Sequence, residues 1–149
     1  MSRLTLNRRA KYDYEPLKKY EAGLVLTGRE VKSIKSGGAK LDTGHIVPQK
    51  GELWLIGANI SRYKKDGSKT EYDPLRSRKL LLHKKEIAFL TEKYHEKGLT
   101  LIPYSLYTLG NRIKIEFWSA RGKKTFEKRE KIKERDIKRQ NARYSFNDI

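Results

Sequence analysis

Alternation of apolar and polar positions dominates the middle of this chain. In YEAGLVLTG, Tyr20, Ala22, Leu24 and Leu26 fall on one face of an extended segment, and Glu21, Gly23, Val25 and Thr27 fall on the other. RIKIEFW repeats the pattern, with Ile113, Ile115 and Phe117 inward and Arg112, Lys114 and Glu116 outward. LWLI, entered through Gly51-Glu52, is a short run of strand formers. Gly110-Asn111 separates LTLIPYSLYT from RIKIEFW and predicts a hairpin. Pro103 inside the first of these strands predicts an edge position or a bulge. Two stretches keep helical spacing instead. GREVKSIKS (Gly28–Ser36) is short, and SGG stops it. HKKEIAFLTEKYHEKG (His83–Gly98) sets Ile87, Leu90 and Tyr94 on one stripe and is expected to end in a glycine cap. Several strands with two or three helices predict a mainly-β fold: a small antiparallel sheet closed into an OB-like barrel, a form often used for RNA.

Three zones follow, with no internal repeat. Residues 1–11 are a short basic arm whose Arg3, Arg8, Arg9 and Lys11 have no balancing acid. Residues 12–120 hold nearly all the large apolar side chains and are expected to form the folded body. Residues 121–149 are a basic tail. From Arg121 to Arg143 it carries 11 Lys/Arg against four Asp/Glu, and it has no Pro and no Gly after Gly122. Glu127–Lys131 and Glu134–Lys138 sit at the favourable i, i+4 spacing, each supplying about 0.2–0.5 kcal/mol, while Glu130–Glu134 opposes them. Phe126, Ile132 and Ile137 do not make a continuous stripe, so the tail has no face with which to dock on its own body. It is expected to be disordered alone and to become helical when phosphates neutralise it. A solvated helix extending from the barrel is the plainer alternative.

Charge narrows the partners. Lys and Arg total 35 against 18 Asp and Glu, a formal net charge of +17 in 149 residues. Solubility needs only a few charges, so a polyanionic partner is the leading reading. Nucleic acid is favoured over a membrane surface, because no amphipathic basic helix with a Trp/Leu face occurs. No cysteine is present, which excludes disulfides and Cys-ligated metal centres and fits a reducing cytoplasm. MSRLTLNRRAKYDYE has neither an apolar h-region nor a small-residue cleavage site, and no apolar run approaches the roughly 18 residues of a membrane span.

Little catalytic chemistry survives inspection. His45, His83 and His95 offer no helical metal spacing, and no HExxH occurs. GREVKSIKSGG matches neither phosphate-loop nor dinucleotide patterns. No enzyme, metal or cofactor is expected. RNA-contact signals are better. Asn7-Arg8-Arg9 combines an amide with two guanidiniums that can grip phosphate or stack on bases. Glu21 can accept hydrogen bonds from exocyclic amines or 2′-hydroxyls, and Gly23 on the same face leaves room for RNA backbone. Tyr63, Tyr72, Tyr104 and Tyr107 are candidate base-stacking rings, although most such residues serve packing. Composition alone equally supports a ribosomal protein with a small barrel and basic extensions.

The motifs together are more specific. NRRA, YEAGLVLTGREVKSIK, GELWLIGANIS, YDPLRSRKLLLHKKEI, EKGLTLIPYSLY and RGKKTFEKREKIKERD stand in the order seen in the SmpB family, the tmRNA-binding (SsrA-binding) proteins of bacteria. The chain resembles that family from Asn7 to about Asp136. The resemblance implies an OB-like barrel that binds the tRNA-like domain of tmRNA and enters the empty A site of a stalled ribosome. There the protein stands in for an anticodon arm. It further implies that the basic tail lies in the vacant mRNA channel, against small-subunit rRNA at the decoding centre, so that the nascent peptide is tagged. Peptide transfer belongs to the ribosome, and a cytoplasmic monomer is expected.

By position, the resemblance carries tmRNA contacts onto Asn7, Glu21 and Leu81; Arg8, Arg9 and the outward Lys114 are expected beside them. Tail contacts fall on Arg121, Gly122, Lys123, Lys124, Phe126, Lys128, Arg129, Lys133 and Arg135. Arg121 replaces the family's usual lysine, and Phe126 replaces a frequent histidine, which keeps a ring for stacking but removes a titratable group. GGAKLDTGH departs from the usual GKANLxDSY, so no contact is carried onto Gly38, Thr43, Gly44 or His45.

Overall fold

The computed structural model describes residues 2–96 and 98–123. Its elements in chain order are β1 (Ser2–Leu6), α1 (Ala10–Asp13), β2 (Tyr14–Leu24), α2 (Gly28–Lys35), β3 (Ala39–Lys40) and β4 (His45–Gln49). They continue with β5 (Glu52–Ile56), β6 (Asn59–Ile60), β7 (Arg78–Leu81), α3 (Lys84–His95), β8 (Leu99–Leu109) and β9 (Arg112–Gly122). The main sheet runs β1-β8-β4-β5-β7-β2-β9, and a further β8–β9 pairing closes it into a ring, all of it antiparallel. This is the OB-like barrel expected from the alternating pattern. β3 and β6 form a separate two-stranded ladder.

The alternation in RIKIEFW becomes burial. Ile115 and Phe117 are inaccessible to solvent and join Ile46, Leu53, Leu55, Leu80, Leu101 and Leu106 inside the ring. Each such side chain stabilises the fold by about 1.5–3 kcal/mol relative to exposure. Ile34 of α2 and Ile87 and Leu90 of α3 pack onto the same core. Pro103 lies at a bulge, since the β8–β9 register shifts between Pro103 and Ser105. On its other side β8 pairs with β4 at Leu101 and with β1 from Ser105 to Thr108. The proline therefore sits where β8 changes neighbours, rather than on an outer edge.

Three boundaries differ from the sequence reading. The basic arm is part of the body: Leu4 and Leu6 pack on apolar clusters, β1 pairs with β8, and Ala10 is buried. Its apolar residues pack on the barrel while its arginines stay outside. At the other end, β9 continues through Arg121 and Gly122, which pair with Glu15 and Tyr14. Lys123 N–H then donates to the Asp13 carbonyl at 2.9 Å. The described stretch ends at Lys123, and Lys124, Phe126, Lys128, Arg129, Lys133 and Arg135 lie outside the described residues. Finally, α3 stops at His95 with Glu96 as its C-cap; Gly98 has a positive φ of 80° and serves the turn into β8.

A second apolar cluster lies apart from the main core. Ala10, Ile102, Tyr104, Trp118 and Ala120 are buried together, with Leu6 and Tyr14 beside them. The rings of Tyr104 and Trp118 stack at 4.0 Å between centroids.

Candidate nucleic-acid interface

Strand register assembles one site. On β2, Gly23 lies between Leu81 of β7 and Lys114 of β9, its partners in the two flanking ladders. Glu21, two residues back on the same face, pairs with Glu116. Glu21, Leu81 and Lys114 therefore converge around a glycine, although they are far apart in sequence. Leu81 is 53% exposed, unusual for a leucine in a strand. A Cβ on Gly23 would meet Leu81 Cβ and Cδ1 at 3.3 Å, so the bare glycine keeps the leucine against the sheet.

These residues line a groove of about 430 Å³, completed by Glu52, Lys79, His83 and Glu86. None of those four was expected from the sequence as an RNA contact, and His83 was weighed only as a metal ligand. Lys79 had a usable signal, because RKLL alternates buried Arg78 and Leu80 with outward Lys79 and Leu81. The groove carries three carboxylates and two lysines. Such a lining accepts hydrogen bonds from base amines and ribose hydroxyls better than it attracts phosphate. Beside it, on the β8 residue paired with Lys114, Tyr107 is buried, and its hydroxyl has no well-formed hydrogen bond within the described residues. Burial first, then the charge and polar contact of Glu21 and the charge of Glu116, push the Tyr107 phenol up to about 12.

Asn7 sits inside the fold, 3% exposed, with its Oδ1 unpartnered among the described residues. Its Nδ2 donates to the Pro103 carbonyl at 2.9 Å and to the Leu41 carbonyl at 3.5 Å, and its backbone N–H donates to Tyr104 O at 2.6 Å. The carboxamide ties β1 to β8 and to the segment before β4. Arg8 and Arg9 follow it and are exposed. Arg9 is the N-cap of α1 and faces Asp13 at 3.6 Å. Neither arginine lines the Glu21 groove. The tyrosines mostly serve packing: Tyr104 and Tyr107 are buried, and Tyr72 donates to the Ile60 carbonyl at 2.6 Å under the Arg29 guanidinium. Of these four candidate rings, that of Tyr63 has no packing partner shown among the described residues.

An ion cluster fixes the strand that carries Leu81. Arg78 on β7 is fully buried, and its Nε donates to Glu30 Oε2 at 2.6 Å. Arg76 Nη2 donates to Glu30 Oε1 at 2.5 Å, and Thr27 N–H donates to the same oxygen at 2.9 Å. Arg78 also donates to the carbonyls of Ala58 and Pro74. Burial alone would raise the Glu30 carboxyl, but the donors from Arg76, Thr27 and Arg78 together hold it below the usual range. Glu30, the N3 residue of α2, completes a capping box with Thr27. One carboxylate thus starts a helix and clamps β7 to it. Among the described residues no His/Asp/Glu group could hold a metal ion, and no helix is long and apolar enough to cross a membrane.

The chain is similar to known proteins over most of its length. The family model described as SmpB protein matches residues 4–147. An SsrA-binding protein of Dehalococcoides mccartyi is 47% identical over 137 residues, covering 92% of this chain and 79% of the relative. An SsrA-binding protein of Thermosynechococcus vestitus is 46% identical over 140 residues, covering 94% and 92%. A solved chain from a structure described as "tmRNA-SmpB: a journey to the center of the bacterial ribosome" superimposes with a TM-score of 0.68 and 44% identity. That match covers 81% of this chain and 85% of the other.

Proposed function

The chain belongs to the SmpB family of SsrA-binding proteins, and on that footing we propose that it binds tmRNA and serves ribosome rescue by trans-translation. The observation that carries this is the groove in which strand register gathers Glu21, Gly23, Leu81 and Lys114. In this reading Glu21 accepts from a base amine or a 2′-hydroxyl. Gly23 lets the ribose-phosphate chain approach, Leu81 packs on an unstacked base, and Lys114 faces a phosphate. Arg8 and Arg9 add phosphate contacts from a turn that Asn7 locks in place.

The tail supplies the second half. The strand end that precedes residues 124–149 is anchored beside Asp13. Lys124, Lys128, Arg129, Lys133 and Arg135 are placed along rRNA phosphates in the vacant mRNA channel, with Phe126 stacking on a decoding-centre base. Arg121, Gly122 and Lys123 form the junction between strand and tail. The protein binds and positions in the cytoplasm, while the ribosome performs peptide transfer. Titrating labelled tmRNA and rRNA fragments at one salt concentration tests the reading. Binding of tmRNA should be far tighter; equal affinities would refute it.

A further inference from the structure

The Glu21 groove has more carboxylates than lysines, so the phosphate grip of a +17 chain must lie largely elsewhere. A second groove, of about 450 Å³, runs between the end of α2 and the segment after β6. It is lined by Ser33, Ser36, Gly37, Gly38, Ser61, Arg62, Tyr63, Lys64 and Lys65, and shares no residue with the first. Residues 32–40 and 61–65 contain Lys32, Lys35, Lys40, Arg62, Lys64 and Lys65 and no acid at all. Lys32, Lys35, Lys40, Lys64 and Lys65 are exposed, and none forms a salt bridge within the described residues.

This surface is framed. Ser61 N–H donates to the Gly38 carbonyl at 2.9 Å, and the Ser33 hydroxyl donates to the Ser61 carbonyl. A side chain at Gly38 would collide with that hydroxyl, so the glycine keeps the floor open. The nearby carboxylate of Asp66 is occupied: it accepts from Arg29 Nε at 2.8 Å, Arg62 Nε at 3.2 Å and Ser68 N–H at 3.1 Å. Arg29 donates further to the carbonyls of Thr70 and Glu71 and lies over Tyr72. At the end of α2, the carbonyls of Lys32, Ser33 and Ile34 already accept from Ser36, Gly37 and Gly38 N–H, which blunts the negative helix end against an incoming anion.

We infer that this groove binds the phosphodiester backbone of RNA, as a second RNA-contacting surface independent of the Glu21–Lys114 groove. The inference rests on the RNA-binding reading and adds where the electrostatic part of the affinity resides. Spaced ammonium groups on a fixed frame suit a chain of phosphates, and Tyr63 offers a ring to an adjacent ribose or base.

The test uses the full chain with Lys64→Ala/Lys65→Ala, which removes both groove lysines. It is titrated with labelled tmRNA and with small ribosomal subunits across a KCl series. Both lysines are exposed, so the unfolding midpoint should match the wild type. The double variant should weaken binding to at least one of the two RNAs and lower the log–log salt slope by about 2. Lys64→Arg/Lys65→Arg should retain both affinity and slope. Unchanged slopes and affinities for both RNAs would overturn the inference while leaving tmRNA selectivity intact. If the wild type fails to prefer tmRNA, the functional reading falls instead, and the slope change still decides the groove.

Discussion

Glu30→Gln probes the buried cluster most sharply. Every neighbour of the Glu30 carboxylate is a donor: Arg76 Nη2 and Thr27 N–H on Oε1, Arg78 Nε and Arg76 Nε on Oε2. A glutamine amide therefore sets an NH2 against a donor in either orientation. It also leaves the Arg78 guanidinium, 0% exposed, without its counter-charge. Breaking a buried pair in this way costs about 3–5 kcal/mol, a large share of a domain's 5–15 kcal/mol. At about 2–4 °C per kcal/mol for a chain of this size, the thermal midpoint at neutral pH should drop by roughly 10 °C. The pH dependence has a defined sign. Glu30 is held below its ordinary range, so its contribution is complete above the unfolded value and disappears as pH falls through the folded one. The gap between wild type and variant should be constant near neutrality and close in acid. Calorimetry or circular dichroism melts at several pH values measure both. A midpoint loss under about 2 °C at neutral pH, or a gap that widens in acid, would refute the reasoning.

Asn7→Asp should destabilise the chain by about 1–3 kcal/mol at neutral pH, because it sets an acceptor against the Pro103 carbonyl that Nδ2 now serves at 2.9 Å. Burial raises the new carboxyl above its unfolded value, so the deficit should be small in acid and grow as pH rises; urea midpoints at two pH values check this. Leu81→Ala should change stability by no more than about 0.5 kcal/mol, since Leu81 is half exposed, yet weaken tmRNA binding several-fold in a titration.

The hairpin of β8 and β9 and the inward set Ile113, Ile115 and Phe117 were legible because a period of two maps directly onto one buried face. The opening half of β2 was not. Tyr14–Lys19 is largely exposed and is held by backbone pairing to β9, so its side chains carry no alternating signal. β1 was masked by its arginines, although Leu4 and Leu6 alternate correctly. For the site, Glu21 and Lys114 could be placed on outward strand faces, but their meeting with Leu81 depends on pairing registers between distant segments. The same limit explains Asn7 and Glu30. The acceptors of Asn7 lie 34 and 96 residues away, and Arg78 lies 48 residues from Glu30, so a polar residue there looks like surface until the fold is closed.

The account treats the barrel as the tmRNA-binding device and the tail as the ribosomal one, joined at Lys123. Because Gly122 pairs with Tyr14 and Lys123 Nζ donates to the Lys11 carbonyl at 2.6 Å, a cut after Lys123 should spare the barrel. The decisive measurement compares residues 1–123 with the full chain for tmRNA affinity and for peptide tagging on stalled ribosomes. The shortened chain should bind tmRNA within a few-fold of the full one and support no tagging. A folded barrel that no longer binds tmRNA, or a tailless chain that still tags, would contradict the account.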